Sequence, residues 1–164
     1  MVRHHHSVWR EGGTAGLLGA VSVALWFLAL DLAAGRPLYT PSILGQIVLF
    51  GSATPETATI VPDAVALYTL AHLAAFLVFG VLVTKLVHLA VNFPLARFGL
   101  LMLFVVFEVA FWGFTWVFFE GTRGLFPQGS ILGANTVAAV VMASYLWLRH
   151  PALKRALQHE PLGS

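Results

Sequence analysis

Apolar residues in this chain gather into long runs, without the alternating or one-sided patterns of strands and helices that face water. Four runs reach the roughly 20 residues that a helix needs to cross about 30 Å of hydrocarbon: 14–34, 64–91, 95–119 and 129–148. Asn92-Phe93-Pro94 separates the second and third runs and predicts a tight turn between close antiparallel helices. Pro94 suits the first turn of a helix, where its missing N–H is not needed. A further apolar run, Pro41 to Phe50, is too short to span, and is expected to be interfacial or re-entrant within a long first outer loop, 35–63. The turn-rich stretch 51–59 follows it. The pattern therefore predicts an all-α integral membrane protein built as a four-transmembrane-helix bundle. Residues 1–13 form an N-terminal segment, 14–148 the transmembrane domain, and 149–164 an amphipathic tail around Leu153 and Leu157 beside Lys154 and Arg155.

Charge sets the orientation. Arg3, Arg10, Lys85, Arg97, Arg149, Lys154 and Arg155 fall on one side of this topology, whereas only Arg36 and Arg123 fall on the other. By the positive-inside rule both termini are expected to be cytoplasmic, and the expected location is the bacterial cytoplasmic (inner) membrane. Asp31, Glu56, Asp63 and Glu120 all lie on the outer side. The first run exceeds the apolar core of a secretory signal, so it is read as a retained span. Composition agrees: 59% of the 164 residues are hydrophobic and 10% charged, against about 25% charged in soluble domains. A net charge of +2 gives no case for nucleic acid. The absence of cysteine excludes disulfides, thiolate catalysis and iron–sulfur ligation.

Candidate chemistry begins with Glu108, about eleven residues from Arg97 and so roughly 16 Å deep in the third run. An ionisable group at that depth rarely faces lipid. His72 and Asn135 lie at comparable depth, roughly 20 Å from Lys85 and Arg149 respectively. The three can meet inside the bundle, either as a proton-carrying or ligand-binding cluster or as a structural hydrogen-bond network. The third run also carries an aromatic stripe, Phe104, Phe107, Phe111, Phe114 and Phe118, with Trp112 and Trp116 on a neighbouring stripe. Flat rings suit a quinone, carotenoid or chlorin, and equally suit helix packing or lipid. Gly12, Gly16, Ala20 and Ala24 recur every four residues along the first run, a small-residue strip that lets another helix approach, from this chain or from another subunit. A short repeat, Ser42-Ile43-Leu44-Gly45 and Ser130-Ile131-Leu132-Gly133, hints at duplicated hairpins.

His4, His5, His6, His88 and His150 fall near the cytoplasmic surface and could gather around zinc or copper, yet no ligand spacing such as His-Glu-x-x-His supports this, and no metal site is assigned. His72 and His88 are about 24 Å apart along one helix and cannot share a haem iron. Nucleophile-elbow, phosphate-loop and dinucleotide motifs are absent. The expected function is a non-catalytic subunit that packs against and stabilises a larger membrane complex, respiratory or photosynthetic, with lipid and other membrane subunits as partners. The alternatives are a small transporter or proton conductor using Glu108, His72 and Asn135, and a binder of a hydrophobic cofactor.

Overall fold

The computed structural model describes residues 7–52, 54–93, 98–99, 102, 105, 109 and 128–151. Helix α1 runs from Val8–Ala33, starting six residues before the first apolar run. Ser7 is the reason: its Oγ accepts from Arg10 N at 3.5 Å, and Glu11 adds a carboxylate to the first turn. A capped helix continues through polar residues that hydropathy alone leaves out. At the other end, Gly35 takes a left-handed φ of 68° while Arg36 N donates to Asp31 O, so the chain turns back.

The run from Pro41 to Phe50 falls largely in a short helix, α2, Tyr39–Val48. Its ten residues extend about 15 Å, too short to span. Leu38, at φ 66°, provides no side-chain cap. Asp31 supplies one from α1: Thr40 N donates to Oδ2 at 2.8 Å and Thr40 Oγ1 to Oδ1 at 2.7 Å, with the carboxylate buried. Both ends of α2 are fastened to the connection that follows. Glu56 N donates to Gln46 Oε1 at 2.7 Å, and Val61 N donates to the buried Ser42 Oγ at 3.0 Å. The connection from α1 to residue 61 is thus held to the helix ends by buried polar side chains.

Helix α3, Pro62–Asn92, opens with proline in its first turn. Its 31 residues extend about 46 Å, more than the hydrocarbon thickness. Helix α4, Gln128–Arg149, corresponds to the fourth predicted run. α1, α3 and α4 are each long and apolar enough to cross a membrane, and no strand occurs among the described residues. Of the predicted third run, only Phe98, Gly99, Met102, Val105 and Val109 are described, all of them helical. The tail from 152 to 164 lies outside the described residues.

α1 is the central helix, packed on α3 along one side and on α4 along another. The α1–α3 seam explains the small residues. A Cβ at Gly12 would fall 2.5 Å from Val81 Cα, and one at Gly16 would strike the Phe76 carbonyl. Gly80 answers from α3, its missing side chain occupied by the backbone of Gly12 and Gly16. Ala20 is buried on the same strip, whereas Ala24 is exposed. Toward α4, Trp26 Nε1 donates to Ser130 O at 3.0 Å and its ring covers Gly133. Val23 packs with Ala134 and Ala138, and Ala15 with Met142 and Leu146. These pairings make α1 antiparallel to both neighbours. Many outward residues are large and apolar, Leu70, Val78, Val140 and Leu148 among them.

Candidate metal centre

The antiparallel register brings the first turn of α1 to the last turns of α3 and α4. Three helix ends therefore meet, and each contributes one polar side chain. Glu11 comes from α1, His88 from α3, and His150 from the position directly after α4. Glu11 Oε2 lies 3.3 Å from His88 Nε2 and 3.4 Å from His150 Nε2. One ligand atom from each residue lies within 4.8 Å of the other two, and the two imidazole rings are 4.8 Å apart. Glu11 and His150 are buried; His88 is partly open.

The hydrogen bonds fix what this arrangement needs. His150 Nδ1 lies 3.0 Å from Leu146 O, and a carbonyl only accepts, so Nδ1 carries the hydrogen. In the neutral ring Nε2 then offers a lone pair, and it faces a carboxylate oxygen, another acceptor. Two acceptors at 3.4 Å repel unless a proton or a cation sits with them. The C-termini of α3 and α4 carry partial negative charge and favour a cation, while the N-terminus of α1, partially positive, favours the Glu11 carboxylate. An imidazole whose second nitrogen is bonded to a backbone carbonyl is also the usual form of a metal-ligating histidine. In a tetrahedral zinc site with bonds near 2.1 Å, neighbouring donors lie about 3.4 Å apart. Both Glu11–His spacings match that edge, and the donor atoms of the two histidines lie within 4.8 Å of each other. Two imidazoles and one carboxylate suit borderline and hard divalent ions of the first transition row.

Two described cations at this end, Lys85 and Arg149, lie against aromatic rings. Lys85 Nζ lies 5.6 Å from the centre of Trp9, and Arg149 Cζ 5.7 Å from that of Tyr145. At the opposite end Arg36 lies over Tyr39 at 4.0 Å.

Of the residues singled out in the sequence, His88 and His150 come together here, joined by Glu11. No spacing rule could find this trio, because each ligand belongs to a different helix. One signal was available: Glu11 is a carboxylate at the basic end of a chain whose other acidic residues near span ends lie on the opposite side. Of the predicted mid-membrane trio, His72 and Asn135 are among the described residues. His72 Nε2 lies 3.3 Å from the Ala20 carbonyl, and its ring stacks on Tyr68 at 5.9 Å and meets Phe76 tilted at 4.7 Å. Asn135 Nδ2 is buried with no hydrogen-bond partner among the described residues. Glu108 lies outside the described residues, as do Phe104, Phe107, Phe111, Trp112, Phe114, Trp116 and Phe118.

No protein-family model matches the chain, and neither a curated protein nor a solved structure does.

Proposed function

We propose that this protein is a multi-pass protein of the bacterial cytoplasmic membrane that binds one divalent first-row metal ion on Glu11, His88 and His150, at the cytoplasmic ends of its helices. The observation that carries the reading is the convergence of three donor side chains from three helices, with a tautomer-fixed imidazole set against a carboxylate. The placement of Arg10, Lys85 and Arg149 at the same end supports a cytoplasmic position for the site. On this reading the chain holds the ion between the ends of its spans. A place as a non-catalytic subunit of a larger membrane complex is compatible with this. The small-residue strip does not argue for it, because Gly12, Gly16 and Ala20 are spent on packing within the chain.

The test is metal binding by purified, chelator-stripped protein in detergent, titrated with Zn2+, Co2+ and Mn2+. One ion per chain is expected, and Co2+ should show the absorption of a site with nitrogen and oxygen donors. Glu11→Gln, His88→Gln and His150→Gln should each weaken binding by more than about 100-fold, beyond the loss typical of an outer-shell residue. Replacing His4, His5 and His6 together with alanine should leave the affinity unchanged. Binding that survives Glu11→Gln but disappears with the three N-terminal histidines would refute the assignment.

A further inference from the structure

Hydroxyl side chains on these helices commonly satisfy themselves on their own backbone. Thr14 Oγ1 donates to Arg10 O, Ser22 Oγ to Gly19 O, Thr69 Oγ1 to Val65 O, and Thr136 Oγ1 to Leu132 O, all between 2.7 and 2.9 Å. Thr84 does not. It is fully buried, and its Oγ1 has no hydrogen-bond partner among the described residues. A buried hydroxyl left without a partner is destabilising, and a water or an ion that completes the bond is one explanation of such a group.

Its position says which. Val81 packs against Gly12, and Lys85 lies over Trp9. Thr84 falls between those two contacts, so it sits at the level of α1 residues 9 to 12, the level of Glu11. The steps from Val81 to Thr84 and from Thr84 to His88 are three and four residues, which keeps all three on the α3 stripe that faces α1. His88 is one turn away, about 6 Å along the helix.

We infer that Thr84 is a positioning residue of the metal centre and that its hydroxyl holds a water bound to the ion, on the membrane-inward side of Glu11, His88 and His150. The inference rests on the metal reading above. A hydroxyl both accepts and donates, so it serves a metal-bound water as acceptor and a metal-bound hydroxide as donor. Thr84 is then the outer-shell partner that fixes the solvent ligand, as Leu146 O fixes the His150 ring.

The test uses the full chain loaded with Mn2+, whose enhancement of water-proton relaxation reports exchangeable water on the bound ion. Wild type should bind Mn2+ with exchangeable water. Thr84→Val keeps the shape and removes the hydroxyl; it should weaken binding 10- to 100-fold and change the relaxation enhancement, and Thr84→Ser should restore both. If the valine variant does not fold, Thr84→Ala against Thr84→Ser isolates the same hydroxyl. Equal affinity and equal relaxation with and without the hydroxyl overturn the inference while leaving the metal site standing. Bound Mn2+ with no exchangeable water also overturns it. A wild-type protein that binds no metal removes the metal reading itself, and this inference with it.

Discussion

Gly80→Ala is the most direct probe of how the fold builds the site, because Gly80 lies in the seam that sets the distance between α1 and α3. A Cβ at this position would fall 2.5 Å from Gly16 N, 2.7 Å from Gly16 Cα, and closer still to the Gly12 carbonyl oxygen. Ordinary Cβ contacts begin near 3.4 Å. The obstructing atoms are backbone and cannot rotate aside, so the helices must part by about 1 Å along the seam. Overpacking of this kind costs about 1–3 kcal/mol, while alanine regains up to about 1 kcal/mol of helix propensity over glycine. The net expectation is a loss of about 1–2 kcal/mol. Gly13 supplies the control: nothing lies within 4 Å of its added Cβ, so Gly13→Ala should be neutral or gain up to about 1 kcal/mol. Denaturing-detergent titration followed by far-ultraviolet circular dichroism measures both. The same separation lengthens the 3.3 Å Glu11–His88 contact, so Gly80→Ala should also weaken zinc binding where Gly13→Ala does not. Equal stability of the two variants would refute the claim that backbone contact sets this seam.

Asp31→Ala removes the surrogate cap of α2 and leaves Thr40 N and Oγ1 buried without their acceptor. A loss of about 2 kcal/mol is expected locally; read as a free-energy difference it speeds hydrogen exchange across 39–48 by roughly 30-fold, and unchanged exchange there would remove Asp31 from that role. The proposed orientation is checked by single cysteines, which are unique labels in a chain that has none. Pro151→Cys and Thr57→Cys, both at exposed positions, should react with an impermeant thiol reagent only from the cytoplasmic and the periplasmic side respectively, and the reverse pattern would invert the topology.

Hydropathy alone marked α1, α3 and α4 as long and apolar enough to cross a membrane, and it placed them to within a few residues except at the start of α1. That miss is physical: Arg10 and Glu11 interrupt hydropathy without interrupting a helix that Ser7 caps. The run from Pro41 to Phe50 was legible as too short to span. Its attachment was not, since the Asp31–Thr40 and Ser42–Val61 bonds join residues whose side chains give no local sign of their partners. Gly12 and Gly16 announced a close helix contact, and only the tertiary structure decided that the partner is Gly80 on α3. The candidate site was the least legible part. Glu11, His88 and His150 are separated along the chain by whole spans, and they come together because α1 runs antiparallel to both α3 and α4. Periodicity reports which solvent a helix meets; which helix ends share a corner is decided by packing between helices, where the backbone contact of Gly12 with Gly80 and the Trp26–Ser130 bond set the register.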